Sequence, residues 1–361
     1  MTTTDPAGPA PLSQRVRFGY RTLLLRRGTF AMRWRLRTGL VCLLVVAATA
    51  VVTVWALTCG DYTLTIAQLR AALTGDPDAE FARTVVIEWR LPRALAAVVF
   101  GAALGASGAV FQSLTRNPLA SPDIIGFAHG SYTGALVVIV LIGGSYLQVA
   151  AGALVGGIAT AALVYLLARR DGVQNFRLIV VGIALSAVSA SFNTWLMLTA
   201  DLDVAMSAAA WVTGSLSGTG WEQTAIGSGV VLLLGCGLAV LAPGLRQLEL
   251  GDDAARASGV RTEPVRAAVV VIGVALTATV TAAAGPIAFI ALSAPQIARR
   301  LTRGQGVAPG PAACVGGFLL AAADHVAQNL MPTALPVGVV TAVGGGSYLV
   351  WLIAREVRRR G

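Results

Sequence analysis

Long apolar runs decide most of what this chain can become. Stretches at 38–58, 94–113, 123–143, 146–168, 178–200, 224–243, 265–284, 312–330 and 335–354 each come close to or exceed the about 20 apolar residues that carry a helix across a bilayer core. A tenth, shorter run at 286–298 follows Gly285-Pro286, where a proline lacking an N–H ends the preceding helix and turns the chain. Lipid offers backbone groups no water to bond, so runs of this length are read as helices that satisfy those groups internally. The expected fold is all-α and polytopic, with about ten transmembrane helices in one compact bundle. No loop between the runs is long enough for a separate domain, the longest spanning 59–93. The chain divides into an Arg-rich tail at 1–37, a membrane domain at 38–356 and a basic tail at 357–361.

Orientation comes from charge. All 27 basic residues are Arg, and the missing Lys excludes a Walker A loop, whose lysine must reach nucleotide phosphates. Short cytoplasmic loops accumulate basic residues. With the N-terminus inside, only Arg70, Arg83, Arg90 and Arg93 fall outside, all in the 59–93 loop beside Asp61, Asp76, Asp78, Glu80 and Glu88. Both termini are therefore expected in the cytoplasm of a multi-pass plasma-membrane protein. The net charge of +10 is an orientation signal and gives no ground for nucleic-acid binding. Arg15 to Arg37 reads as a topology anchor, with attraction to anionic lipid head groups as the alternative. It is not a cleaved signal peptide, because no small-residue cleavage site follows a short apolar core. Cys42, Cys59, Cys236 and Cys314 form no CxxC pair, and His129 and His325 are too few and too far apart for a metal site.

Small residues mark close packing. Gly101, Gly105 and Gly108, with Ala102, Ala106 and Ser107, give one helix a stripe suited to the bundle interior. Gly344-Gly345-Gly346 suits either a bend or tight packing. Two inner segments, 112–126 and 244–264, interrupt the apolar pattern. In the second, Leu250-Gly251-Asp252-Asp253-Ala254 through Arg256 to Gly259 places acids where a helix begins and glycine where it ends, predicting a short capped helix. Thr262-Glu263-Pro264 then starts a new helix, with Thr262 as its capping hydroxyl. The result is an elbow facing the cytoplasm, suited to a partner's groove or serving as a plain connector.

At Arg90-Leu91-Pro92-Arg93, Gly101 to Gly108, Gln112 and Arg116-Asn117-Pro118-Leu119-Ala120-Ser121-Pro122-Asp123 the sequence resembles the FecCD family, permeases of type II ABC importers. The resemblance covers about 38–356, taking in the elbow, Gly285-Pro286-Ile287-Ala288-Phe289 and Leu335-Pro336-Val337-Gly338. Glu88-Trp89, Gly126-Phe127, Phe192-Asn193-Thr194-Trp195 and Leu248-Glu249-Leu250 look most like the branch carrying ferric catecholate siderophores of the enterobactin kind, whose subunit pairs with a non-identical sister.

The family implies ten helices per subunit, a second permease subunit, two ATPase subunits holding ATP and Mg, and an extracytoplasmic binding protein. It implies no cofactor and no catalysis on this chain, and a cargo of ferric siderophore that stays chelated. By that resemblance Leu250, Gly251, Asp252, Asp253, Ala254, Arg256 and Gly259 form the helix that couples to the ATPases. Arg90 and Arg93 meet acidic residues of the binding protein, with snorkelling or pairing to Glu88 as the alternative. Asn117, Pro118, Pro122, Gly285, Pro286, Pro295, Pro336 and Gly338 read as structural turns and breaks, with Asn117 able to cap the following helix. Asp324, in the ninth run, must find a partner or water, and a brace between helices is preferred over proton coupling. Gln112, Ser191, Asn193 and Thr194 are candidates for lining the pathway, packing between helices being an equal alternative.

Two departures from the family pattern are Gln296, where a histidine is usual, and Ala334, where a glutamate is usual. Heme and cobalamin are alternative cargoes. A secondary transporter using Asp324 is a further alternative that lacks the internal repeats such folds show. No HExxH, GxSxG or paired-carboxylate constellation supports a membrane enzyme.

Overall fold

The computed structural model describes residues 22–27, 30–122, 126–168, 175–304, 306, 308–331 and 333–360. Expectations attached to Asp123, the tail before residue 22 and Gly361 lie outside the described residues. Strands β1 (Thr22–Arg27) and β2 (Phe30–Arg35) pair antiparallel, with Leu25 opposite Met32. This hairpin lies in the tail, ahead of the membrane domain. Everything described from Leu36 onward is helix or connection. The helices are α1 (Leu36–Thr58), α2 (Ile66–Thr74), α3 (Glu80–Arg83), α4 (Leu91–Thr115), α5 (Phe127–Leu141), α6 (Tyr146–Ala168) and α7 (Asn175–Thr199). They continue with α8 (Leu202–Val212), α9 (Trp221–Glu249), α10 (Asp252–Ala257), α11 (Thr262–Ala284), α12 (Ile290–Thr302), α13 (Pro309–Asn329) and α14 (Val337–Arg360).

Each apolar run falls on a helix. Among the described residues, seven helices are long and apolar enough to cross a bilayer, and Ala128–Leu141, Leu202–Val212 and Val337–Trp351 are shorter apolar ones. The expected break at Gly285-Pro286 is present: α11 ends at Ala284, and Gly285 takes φ 71° while its N–H reaches the Thr281 carbonyl. The 59–93 segment, expected as a loop, is largely helical. Thr65 and Gln68 form a capping box on α2, whose C-terminus closes at Gly75 with φ 78°. A π-helical turn, Thr84–Arg90, then runs into α4. Pro92 offers no N–H to the Glu88 carbonyl and crowds it, and the wider π turn accommodates that loss without ending the helix.

Helices α4, α11 and α13 form the centre, whereas α1 and α9 turn most of their surface outward. Leu43, Leu44, Leu232, Leu233 and Val240 are exposed there, as a lipid-facing surface requires. The small-residue stripe explains the centre. A Cβ at Gly101 would strike the Gly316 carbonyl, one at Gly105 the Ala312 carbonyl and one at Gly108 the Ala291 carbonyl, so α4 lies backbone-to-backbone against α13 and α12. A second seam that sequence reading did not single out joins α5 and α6, where Gly134 faces the Gly152 carbonyl and Gly156 that of Gly130. Helix α14 runs unbroken through Gly344-Gly345-Gly346. A Cβ at Gly345 would meet the Phe289 side chain, so packing accounts for that glycine, whereas Gly344 and Gly346 face open space.

Replacing Gly108 with Val should abolish recovery of folded chain, since backbone and not a movable side chain blocks the new Cβ. Wild-type yield and melting temperature in detergent for that variant would refute the close crossing.

Candidate functional site

The elbow forms as its sequence directs. Helix α10 carries Asp252 and Asp253 in its first turn, where the exposed N–H groups favour negative charge. It begins at Gly251, whose φ of 117° disfavours side chains, and the turn after it closes at Gly259 with φ 81°. Thr262 does not cap α11: Arg261 holds the cap position without a side-chain bond, and Thr262 is the first helical residue, buried at 4% exposure.

Its two aspartates have different surroundings. Asp252 turns inward, 2.6 Å from Arg266 Nη2 and 3.8 Å from Arg116 Nη2. Arg116, held at φ 51° where α4 ends, also donates to the Leu248 carbonyl at 3.2 Å. Ser113 donates to Glu249 at 2.6 Å. The last turn of α4 is thereby tied to the end of α9, to α10 and through Arg266 to α11. Charge-assisted bonds of this length are about twice as strong as neutral ones. Asp253 instead projects into solvent, with only the exposed Arg256 at 3.3 Å. Leu250 and Ala254 are exposed beside it, while Ala255 is fully buried and seats the helix. A cavity of about 550 Å³ opens here, lined by Arg116, Arg266 and Leu250 to Ala254. Sequence reading identified the elbow but missed Ser113, Glu249 and Arg266, whose signal is a polar or charged residue at the end of an apolar run.

At the other end of α4, Arg93 grips Asp324 of α13 bidentately, with Nη2 2.6 Å from Oδ1 and Nε 3.0 Å from Oδ2. Arg90 donates to the Leu57 carbonyl at 2.9 Å and the Tyr62 carbonyl at 2.6 Å. Within the chain, Arg93 forms a helix brace and Arg90 closes the segment after α1.

The turn residues converge. Gly338 donates its N–H to the Gly214 carbonyl at 2.9 Å, and Ser215 donates to Ala284 at 2.8 Å. Cβ atoms at Gly214, Gly285 and Gly338 would strike the Pro286, Trp211 and Thr213 carbonyls. Beside this knot lies a cavity of about 730 Å³ reached by Tyr146, Trp211, Gln223 and Pro336. Asn117 does not cap α5, whose cap position is Gly126. Its Oδ1 instead accepts the Leu119 N–H at 2.9 Å, closing a local turn. Gln296, inside α12 after Pro295, donates to the Pro118 carbonyl and so holds that turn against α12. Pro122 is buried.

The four pathway candidates do not share a surface. Gln112 is 3% exposed and donates to the Leu292 carbonyl at 2.9 Å, a brace between α4 and α12. Ser191 and Thr194 lie exposed on α7 and donate to carbonyls of their own helix at 3.1 and 3.0 Å. Asn193 is 4% exposed, and its amide N and O have no partner among the described residues.

Comparison with known proteins adds an independent line. The sequence profile of the FecCD transport family matches residues 45–355. The ferric enterobactin transport system permease protein FepG of Escherichia coli (strain K12) is 48% identical over 320 residues, covering 88% of this chain and 97% of that protein. The Fe(3+) dicitrate transport system permease protein FecD of the same strain is 39% identical over 276 residues, covering 75% of this chain and 85% of that protein. A solved metal-chelate type ABC transporter in an inward-facing conformation superposes with a TM-score of 0.77 at 27% identity, covering 88% of this chain and 99% of that one.

Proposed function

The chain belongs to the FecCD transport family, and from that membership we propose that it is the membrane-spanning permease subunit of an ABC importer for a ferric siderophore of the catecholate type. The likeness to a ferric enterobactin permease along 97% of that protein's length supports this cargo over heme or cobalamin. In this reading the helices make about ten crossings, with both termini and the elbow in the cytoplasm. The membrane domain at 38–356 works beside a second, non-identical permease subunit. Two ATPase subunits bind ATP and Mg and press on the elbow, and the chain itself performs no bond chemistry and binds no cofactor.

The observation that carries the mechanism is the division of labour in α10. Leu250, Asp253, Ala254 and Arg256 face outward for a partner, while Asp252 locks the same helix to α4 and α11 through Arg116 and Arg266. A push on the exposed face reaches α4 through the locked face. Helix α4 in turn carries Arg93–Asp324 at its far end, so the rim is displaced with it. Arg90 and Arg93 then serve binding-protein docking indirectly, by ordering the rim on which Arg70, Asp76, Asp78 and Glu80 are exposed. The bidentate grip engages both carboxylate oxygens of Asp324 in a brace between α4 and α13, which favours a structural role over ion coupling in a secondary transporter.

The deciding experiment is co-purification of the tagged chain in detergent, with every bound polypeptide identified and ATPase activity measured with ferric siderophore and its binding protein. A sister permease together with an ATPase, stimulated by loaded binding protein, is expected. A chain that purifies alone and transports in liposomes without ATP would overturn the proposal.

A further inference from the structure

We propose that the ends of α1, α12 and α14 on the elbow face form a binding site for the head group of an anionic phospholipid. Three helices converge there through contacts of their arginines. Arg37, in the first turn of α1, donates from Nε to the Leu301 carbonyl of α12 at 3.0 Å. Arg300 of α12 lies over α14, its Cζ 5.3 Å from the Trp351 ring centroid and 5.8 Å from that of Tyr348. Arg299 precedes it, and Arg303 ends the helix in the left-handed conformation at φ 49°.

Among the described residues, the arginines of this corner have no carboxylate partner. Arg93, Arg116, Arg256 and Arg266 each have a carboxylate within 4 Å. Arg37, Arg299, Arg300 and Arg303 are all exposed and make no ion pair among the described residues. The sequence beyond Trp351 adds Arg355, Arg358, Arg359 and Arg360 against the single Glu356. Guanidinium forks match phosphate oxygens, and Arg300 is already oriented by the two rings beneath it.

Apolar surface beside the charge selects the occupant. Leu36, Leu40 and Leu301 are 43%, 57% and 42% exposed next to these arginines, and Trp351 is 49% exposed, as aromatic residues at a membrane interface are. Free phosphate would leave the leucines uncovered. A diacyl phospholipid places its phosphate among the arginines and its chains along α1. That α12 ends on the elbow face follows from its parallel run beside α4, since Gln112 reaches Leu292 and Gln296 reaches Pro118.

The test is native mass spectrometry of the purified transporter complex, comparing phosphatidylglycerol with phosphatidylethanolamine, for wild type and R299Q/R300Q/R303Q. Each arginine near an anionic surface contributes about fivefold in affinity, so the triple variant should bind phosphatidylglycerol on the order of a hundredfold more weakly. Equal retention of phosphatidylglycerol by wild type and variant, or equal retention of the two lipids by wild type, overturns the site. Unchanged lipid adducts with loss of the ATPase subunit overturn it also, and assign the arginines to a protein contact. Should the variant not fold, wild type titrated with phosphatidylglycerol or phosphatidylcholine decides: a melting temperature raised only by the former supports the site, and no difference removes it.

Discussion

Replacing either Arg93 or Asp324 with Ala should destabilise the chain by roughly 3 to 5 kcal/mol, the penalty for stranding one charge of a buried pair. The side chains are only 19% and 9% exposed, so water screens the survivor little. Asp324→Ala leaves a guanidinium between α4 and α13 with no carboxylate. Arg93→Ala leaves a carboxylate within a span, where insertion scales assign about 2.5 to 3.5 kcal/mol to such a charge at mid-helix. The double change Arg93→Met with Asp324→Leu should recover most of the loss, because it removes both desolvation penalties together. Melting temperatures in detergent check this. Single variants as stable as wild type would mean the pair braces nothing, and a double variant no better than the singles would mean the charges themselves are needed.

The second large effect is expected at the elbow. Asp252→Arg puts a third guanidinium between Arg116 and Arg266, replacing two attractions by repulsion and detaching α10 from α4. Losing one charge-assisted hydrogen bond is worth about tenfold or more, so uptake should fall at least that far while the chain still inserts. Asp253→Arg changes only an exposed residue, so it should weaken association with the ATPase and leave the chain's own melting temperature unchanged. Measuring uptake, ATPase co-purification and melting for each variant separates the roles. Normal uptake by Asp252→Arg would remove the proposed transmission through Arg116 and Arg266. Identical behaviour of the two variants would show that the aspartates act alike.

Much of this architecture could be read from the chain because lipid punishes irregular backbone. A run of about 20 apolar residues has few alternatives to a helix, so each run reappears as one, and Gly285-Pro286 breaks where proline and glycine dictate. The small-residue stripe from Gly101 to Gly108 likewise announced a close crossing, since only small residues let backbones touch. The short helix at the elbow was legible from its acids and flanking glycines, which act within one turn.

Pairing over long sequence distance was not legible. Arg93 and Asp324 are 231 residues apart, and Arg93 read locally as a surface arginine beside an acidic loop. Gln112 looked like a polar interruption free to line a pathway, yet a carbonyl 180 residues away takes its amide. Asn193 drew notice as a polar residue, but only packing shows its amide buried without a partner while Ser191 and Thr194 face outward. Helix, topology signal and elbow were determined by the sequence alone because hydrophobic length, turn chemistry and capping act between neighbours. Which arginine meets which carboxylate was decided only by the tertiary structure, because desolvation acts on the final arrangement of helices and so selects partners that no local pattern names.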